Sequence, residues 1–378
     1  MKRDPAQSCC TGRTCGVMLA EVTPTANHKP FGRNRTRRPW VRMLALAAVF
    51  SSTILAGVMQ LRVVASRDLR SPNLPGAQLA FSENSELLRV IGSRVVTYDA
   101  ASAVLVTNLA LDATTRILSI AGNGRTVLLG VRVPPTRIRL LLLDASSGQT
   151  EAVPSDWYDS EDDGIDVSVS SDGRLISVYS EGNTDQPMVV TVYDWRTKRR
   201  VAQRASAYIS AGGAFGGGIT GDGKVEFVNN RAGRKLVNLE TGRSVASFGF
   251  HSLRSANGVW VVEFPDRNWN ETASRDVLVK DGVTGAVLGK LNAQLADDET
   301  FGAVTGSFCG ATPRFVVARR ASVGVYAIPA GNLLAEFPAA SWRDRSADAA
   351  DQPRVACAAT GTRVAIYSGD RLTIHDLR

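Results

Sequence analysis

The segments SSDGRLISVYS, residues 170–180, and VTVYDWRTKRRV, residues 190–201, form a two-part phrase that decides the fold. Each part places a run of alternating apolar and polar residues next to a polar turn. Alternation with a period of two is typical of half-buried β-strands, and Asp and Gly at the ends of such runs are typical of tight turns. The phrase therefore predicts two consecutive β-hairpins.

The two-part pattern recurs along the chain at intervals of 43 to 50 residues. The interval is measured between anchor residues, each of which ends the alternating run of the second part, as the Asp of VTVYD does. A side-chain oxygen of Asp or Asn at such a position caps the following turn, and Gly adopts the positive φ that the turn requires. Gly stands four residues after this anchor in four of the six units that continue past it. The anchors are Asp99, Asp144, Asp194, Asn238, Asp281, Ala327 and Asp376.

A second turn precedes most anchors, so each unit of about 45 residues contains three or four short strands. The turn pairs begin at Asn123, Asp172, Asp222, Asn257 and Thr360, and Gly follows each of them. Four strands in each of seven such units are typical of a β-propeller. We therefore expect an all-β propeller of seven four-stranded blades over residues 76–378. We expect residues 74–82 to supply the outer strand that closes the ring.

The repeats LLLLDASSGQT, residues 140–150, and VLVKDGVTGAVL, residues 277–288, resemble those of the WD40-like and quinoprotein-like β-propeller superfamily. The resemblance covers about residues 76–378 and implies the propeller fold. The Gly-His and terminal Trp-Asp pairs of WD40 units are absent, and so is the Trp that quinone-binding repeats carry after the turn glycine. The resemblance therefore implies no cofactor, and it assigns no catalytic or cofactor-binding residue.

The formal net charge of +8 is confined to the N-terminal part of the chain. Residues 1–70 contain 12 Lys and Arg against 3 Asp and Glu, which leaves 32 basic and 33 acidic residues in the remainder. A domain that binds nucleic acid through phosphates needs a basic surface. The nearly neutral charge of residues 71–378 argues against nucleic acid as a partner.

An uncharged apolar segment, residues 43–61, follows five arginines within residues 33–42. Nineteen residues of helix span the ~30 Å hydrocarbon layer of a membrane. We predict a disordered basic tail at 1–42, a transmembrane helix or signal-anchor at 43–61 and a linker at 62–75. By the positive-inside rule the N-terminus is cytoplasmic, and the propeller is periplasmic or extracellular. The alternative is a signal peptide cleaved after Ala65, which would leave a secreted propeller.

Two cysteines lie within the predicted propeller, at equivalent places in neighbouring units just before the second strand. Neighbouring blades splay away from the propeller axis, so we expect the Cα atoms of Cys309 and Cys357 to be farther apart than the ~7 Å that a disulfide allows. The prediction is two buried thiols.

The acidic segment DSEDDGID, residues 159–166, is the one candidate for a metal site. Asp159, Glu161 and Asp163 are followed by a glycine, as in calcium-binding loops. The positions of Asp166 and Ser170 do not match those loops, and a solvated loop that carries like charges is the alternative.

Two segments are candidates for contact with a partner, because binding residues tend to lie on loops held by a rigid scaffold. The first contains Trp157 and Tyr158, next to the acidic segment. The second is the long polar segment at 264–276, with Arg267 and Trp269.

These features predict a non-catalytic, membrane-tethered, exported propeller that binds a protein or peptide or serves as an assembly scaffold. The basis is a scaffold and an export signal without a recognisable set of reactive residues. The alternative is an exported propeller enzyme, a hydrolase or a quinone- or metal-dependent oxidoreductase, with its site at the central channel. The fold by itself does not choose between them.

Overall fold

A computed structural model of the chain describes residues 61–378 and contains seven four-stranded antiparallel sheets. It confirms the all-β propeller with seven blades. The segments inside this range that are not described are 71–73, 75–76, 134–136, 155–165, 181–187, 207–208, 211–217, 221, 231–232, 250, 266–275, 294, 296–304, 320–321, 339–352 and 369–370.

Each blade uses four strands that follow one another from the propeller axis outward. Blade 1 contains β2 (Gln78–Phe81), β3 (Leu87–Ile91), β4 (Arg94–Asp99) and β5 (Leu105–Ala110). Blade 2 contains β6 (Thr115–Ile120), β7 (Thr126–Val133), β8 (Arg137–Asp144) and β9 (Thr150–Ala152). Blade 3 contains β10 (Asp166–Val169), β11 (Leu175–Ser180), β12 (Met188–Asp194) and β13 (Arg199–Ser206). Blade 4 contains β14 (Ile209–Ser210), β15 (Val225–Asn230), β16 (Gly233–Asn238) and β17 (Ser244–Phe248).

The last three blades continue this order, except that the outer strand of blade 7 comes from the N-terminal side. Blade 5 contains β18 (Ser252–Arg254), β19 (Trp260–Glu263), β20 (Val277–Asp281) and β21 (Val287–Leu291). Blade 6 contains β22 (Thr305–Phe308), β23 (Arg314–Ala318), β24 (Ser322–Ala327) and β25 (Leu333–Pro338). Blade 7 contains β26 (Arg354–Cys357), β27 (Arg363–Ser368), β28 (Arg371–Leu377) and β1 (Val63–Arg70).

Five of the seven anchor residues cap the turn between third and fourth strands in the predicted way: Asp99, Asp144, Asp194, Asn238 and Asp281. An oxygen of Asp281 accepts hydrogen bonds from the backbone N–H groups of Val283, at 3.0 Å, and Thr284, at 2.7 Å. Gly285 then adopts a φ of 74°. Ala103 and Lys198, which occupy the glycine position in blades 1 and 3, also have positive φ, at 61° and 55°. The turn geometry is thus kept even where the residue is not Gly.

The ring closes through β1, which pairs with β28 over its whole length. Our expectation for residues 74–82 was wrong, because Gln78–Phe81 forms the innermost strand of blade 1. Residues 63–70 were assigned to the linker, and most of their side chains are partly or fully exposed, which weakens their apolar signal. Asp376 adds two charged contacts to the closure, with Arg67 at 2.5 Å and Arg363 at 3.0 Å.

The hydrophobic core consists of seven clusters, one between each pair of adjacent blades. The cluster between blades 1 and 7 contains 16 buried described residues. The cluster between blades 4 and 5 contains five, namely Phe227, Leu236, Ala246, Phe248 and Val261. Among the described residues, the interface between blades 4 and 5 therefore has the smallest apolar core.

The prediction of two free thiols was wrong, because Cys309 and Cys357 form a disulfide with their Cα atoms 4.7 Å apart. The splay of neighbouring blades separates their outer strands, whereas their innermost strands converge near the axis. Gly310 allows this approach, since a Cβ there would lie only 2.6 Å from the Cα of Ala359 in the next blade. The bond joins blade 6 to blade 7.

Leu61, the last residue of the predicted membrane segment, belongs to the propeller. Its side chain is buried between blades 6 and 7, and its N–H donates a hydrogen bond of 2.7 Å to the carbonyl oxygen of Leu334. Residues 43–60 lie outside the described part of the chain. Within that part, no helix has the length and apolarity needed to cross a membrane.

Candidate functional site: the central cavity and its adjoining groove

The turns between first and second strands, and those between third and fourth strands, lie at the same end of every blade. This follows from the antiparallel pairing of neighbouring strands. We call this end of the propeller the capped-turn face. A central cavity of about 560 Å³ extends from these turns between the innermost strands, and residues of all seven blades line it.

The cavity walls are mainly apolar and aromatic. Leu79, Phe81, Leu253 and Phe308 contribute side chains from innermost strands of three blades. The ring of Phe308 contacts Phe315 edge-to-face with centroids 4.7 Å apart, which holds that part of the wall in place. The volume lies within the ~300–1,000 Å³ that small-molecule sites occupy. The cavity is large enough for a small ligand or for a few residues of a peptide.

In blade 4 the described parts of the innermost strand are β14 and a bridge at Ile219, and residues 211–217 between them lie outside the described part of the chain. Phe227 and Arg234, from the second and third strands of this blade, also line the cavity. Nearby, the hydroxyl group of Ser171 in blade 3 donates a hydrogen bond of 3.3 Å to the carbonyl oxygen of Ala256 in blade 5. The cavity thus reaches outward at blade 4, where the turns of blades 3 and 5 touch.

A groove of about 1030 Å³ runs along the capped-turn face over blades 1, 2 and 3. It shares four lining residues with the central cavity: Ser82, Glu83, Asn123 and Asp172. The groove and the cavity therefore form one continuous concave surface.

Arg89 forms the floor of the groove and is only 3% exposed. Its guanidinium donates hydrogen bonds of 3.0 Å to the carbonyl oxygen of Asn123 and the hydroxyl of Ser146, both in blade 2. Desolvation lowers the pKa of Arg89. These contacts tie the second strand of blade 1 to two turns of blade 2. On the wall, Arg125 pairs with Asp144 at 2.9 Å.

Two further arginines line the central cavity where blades 4 and 5 meet. Arg234 donates one hydrogen bond, to the carbonyl oxygen of Ser252, and its guanidinium lies 5.6 Å from the ring centroid of Phe227. The side chain of Arg254 makes no hydrogen bond or ion pair with any described residue. The Nε atoms of both arginines are buried without a described hydrogen-bond partner, and burial lowers the pKa of both.

Both arginines occupy positions that are apolar in the other repeats. Arg254 lies four residues before the turn glycine Gly258, and Arg234 lies four residues before the anchor Asn238. The residues equivalent to Arg254 in blades 2, 3, 4 and 7 are Ile120, Val169, Ile219 and Cys357, all buried. Those equivalent to Arg234 are Val95, Leu140, Val190, Val277, Val323 and Leu372, all buried. Charged groups therefore replace two core positions, which accounts for the small apolar cluster between blades 4 and 5.

Glu83 of blade 1 and Asp172 of blade 3 are carboxylates on the cavity rim, and neighbouring groups already bind both. Glu83 accepts a hydrogen bond of 2.9 Å from the side-chain amide of Asn123. Asp172 accepts hydrogen bonds from the hydroxyl of Ser170, at 2.5 Å, and from the backbone N–H of Arg174, at 3.1 Å. The cavity rim is thus acidic along blades 1 and 3 and basic at blades 4 and 5.

Glu226 is a third charged residue at a core position of the repeat. It lies three residues after the turn glycine, where blades 2, 3, 5 and 7 carry buried Val or Ile. Its carboxyl group is fully buried between blades 3 and 4 and accepts hydrogen bonds from Ser177, at 2.6 Å, and Tyr179, at 2.5 Å. Burial raises its pKa to about 7. Glu226 does not line the cavity, so it does not reach a ligand bound there.

The sequence-predicted contact residues Trp157, Tyr158, Arg267 and Trp269 lie outside the described residues, and so do the calcium candidates Asp159, Glu161 and Asp163. Both assignments remain predictions. The strand ends that flank these segments lie at the end of the blades opposite to the capped-turn face. Among the described residues no group of three His, Cys, Asp or Glu is placed to hold a metal ion.

Arg234, Arg254 and Glu226 were not predicted from the sequence as functional residues. A usable signal was present, because each interrupts a column of apolar residues once the repeats are aligned on their turns. Charged residues at core positions are costly and need a physical reason.

Comparison with known proteins supports the fold and goes no further. No protein-family model and no curated protein matches the chain. Chains of solved structures match it in large number, 1039 in all. One of them, "Structure of U3-55K", has a TM-score of 0.54 and 10% sequence identity, and the match covers 82% of this chain and 98% of that chain. At this identity the likeness shows a shared seven-bladed propeller fold alone.

Proposed function

We propose that this chain is a non-catalytic, membrane-tethered, exported β-propeller that binds a protein or peptide on its capped-turn face. The observation that supports the proposal is the continuity of the groove over blades 1–3 with the central cavity. An extended segment of a partner fits such a surface, with its backbone along the groove and a side chain or chain end in the cavity.

Two features support export. The uncharged segment at 43–61 follows five arginines, as expected for a helix inserted with its N-terminus in the cytoplasm. Cys309 and Cys357 are joined, and structural disulfides occur mainly in oxidising compartments outside the cytoplasm.

The alternative, an exported propeller enzyme, has one observation in its favour. A carboxyl group with a pKa of about 7, such as that of Glu226, is suited to general acid–base chemistry near neutral pH. Its full burial between two blades, where Ser177 and Tyr179 bind both oxygens, favours a structural role for it. For this reason we prefer a binding function.

Site-specific photocrosslinking tests the binding face. A photoreactive residue replaces Thr150, which lines the groove, or Val133, which is exposed at the opposite end of the same blade. We expect a discrete crosslinked partner from the Thr150 position in intact membranes and none from the Val133 position. A partner captured only from Val133, or none from either position, would contradict the proposed face.

Protease accessibility tests the tether and the export independently. Protease added to intact cells, with the outer envelope permeabilised where one is present, should degrade the propeller and leave the N-terminal tail protected. The protein should also stay in the membrane pellet after alkaline carbonate extraction. A propeller protected until the inner membrane is lysed would show that the domain is cytoplasmic.

A further inference from the structure

The interface between blades 4 and 5 contains two cations that form no ion pair with a described residue. Arg234 and Arg254 form no ion pair with a described carboxylate, and both line the central cavity. Taking a charged group out of water is costly unless a partner of opposite charge compensates it. Six other blades use an apolar residue at the position of Arg234, so the fold itself does not require a cation there.

Two carboxylates of blades 4 and 5, Glu263 and Asp222, are bound by other groups. Glu263 accepts hydrogen bonds of 2.6 Å from both Lys280 and the backbone N–H of Gly249. Asp222, which attracts Arg254 only at longer range, accepts hydrogen bonds from Thr220 and from the N–H of Lys224. None of these contacts neutralises the two guanidinium groups.

The two arginines are close enough in the fold to act on one ligand. Arg234 is hydrogen-bonded to the backbone of Ser252, and Ser252 and Arg254 are two residues apart on β18. Residues at this spacing on a strand point to the same side. Both arginines line the central cavity, and Arg254 lies at the end of β18 next to the turn.

We propose that Arg234 and Arg254 form an anion-binding subsite in the central cavity, which takes a carboxylate of an acidic peptide. The guanidinium groups donate charge-assisted hydrogen bonds to the carboxylate oxygens, and the aromatic wall with Phe81 and Phe308 contacts the apolar part of the peptide. The subsite deepens the proposed peptide-binding function and rests on it.

A pair of peptides that differ in one group tests the proposal by isothermal titration calorimetry on the purified full chain. The probes are the capped tripeptides acetyl-Phe-Gly-Asp-amide and acetyl-Phe-Gly-Asn-amide, which have nearly the same shape and differ in charge. The wild-type chain should bind the Asp peptide at least about tenfold more tightly, as expected for hydrogen bonds to charged groups. Arg254→Met and Arg234→Met should each abolish this preference, and the control Arg139→Met, at an exposed arginine of blade 2, should keep it.

Thermal unfolding of the same variants without peptide gives a second, independent measurement. If the two arginines serve a ligand, replacing either by a side chain of similar volume removes an uncompensated buried charge. We expect Arg254→Met and Arg234→Met to raise Tm by about 2 °C or more, and Arg139→Met to leave it unchanged.

Three results would overturn the subsite. These are equal affinity of the wild-type chain for both peptides, no binding of either peptide, and a lower Tm in both cavity variants. Equal affinity would leave the peptide-binding function standing, because the neutral peptide would still occupy the cavity. The photocrosslinking result at Thr150 tests that function separately, so the two proposals fail in distinguishable ways.

Discussion

The carboxyl group of Glu226 makes the stability of the propeller depend on pH in a direction opposite to that of most acidic residues. Burial raises its pKa from 4.5 to about 7 in the folded chain. Below pH 4.5 the group is protonated in both states and imposes no penalty. Between pH 4.5 and 7 the unfolded chain releases the proton first, so the free energy of unfolding falls as pH rises.

The size of the effect follows from the shift. Each pKa unit corresponds to about 1.4 kcal/mol, so the difference between 4.5 and about 7 lowers stability by about 3 kcal/mol above pH 7. Glu226→Gln mimics the protonated side chain, since an amide can accept a hydrogen bond from Tyr179 and donate one to Ser177. We expect the variant to match the wild-type chain at pH 5 and to be about 3 kcal/mol more stable at pH 8.

Urea unfolding followed by tryptophan fluorescence at pH 5, 6, 7 and 8 measures this difference. The comparison of variant with wild type at each pH cancels the titration of all other groups. Glu240→Gln, on an exposed turn of the same blade, is the matched control and should show no trend. A difference between Glu226→Gln and wild type that stays constant from pH 5 to 8, or a less stable variant at pH 8, would refute the reasoning.

Three further predictions concern the closure and the turns. Replacing Cys309 and Cys357 by Ala should lower the free energy of unfolding by up to about 4 kcal/mol, the loop-entropy value for a separation of 48 residues, and the same loss should follow reduction of the wild-type chain. Gly331→Ala should cost at least about 2 kcal/mol more than Gly148→Ala in urea unfolding. Both glycines have φ near 75°. The Cβ of Gly331→Ala would lie 1.7 Å from a backbone oxygen, whereas the Cβ of Gly148→Ala would meet only a leucine side chain. Asp376→Asn should cost about 1–3 kcal/mol at pH 7. Burial alone would raise the pKa of this carboxyl, but hydrogen bonds from its two arginine partners outweigh burial and lower the pKa below its ordinary value of 3.8. The cost of the substitution should therefore shrink progressively as the pH falls below 3.8 and the folded carboxyl becomes protonated.

The turns of the blades were predictable because their causes are local. Asp281, Thr284 and Gly285 form a capped hairpin through contacts that span five residues, so the sequence pattern shows them directly. The same holds for the alternation of buried and exposed residues along each strand. Repetition of these local signals in seven units was sufficient to predict the propeller.

The candidate site was less predictable, because it depends on residues far apart in the chain. Arg254 lies in a short strand before an ordinary Asn-Gly turn, and nothing next to it marks it as unusual. Only the alignment of the repeats shows that it replaces a core residue, and only the fold brings it into the same cavity as Arg234. The predicted contact residues had the opposite property, since their aromatic and charged side chains were conspicuous in the sequence alone.

The sequence by itself determined the strand pattern, the turn chemistry and the number of blades, since hydrogen bonds between near neighbours and side-chain alternation set all three. Only the tertiary structure decided that β1 closes the ring, that Cys309 and Cys357 meet, and that charged residues gather around blade 4. These features depend on how blades converge at the axis and how the two ends of the described chain pair. Such distances are set by the packing of all seven blades together, and no local stretch of sequence encodes them.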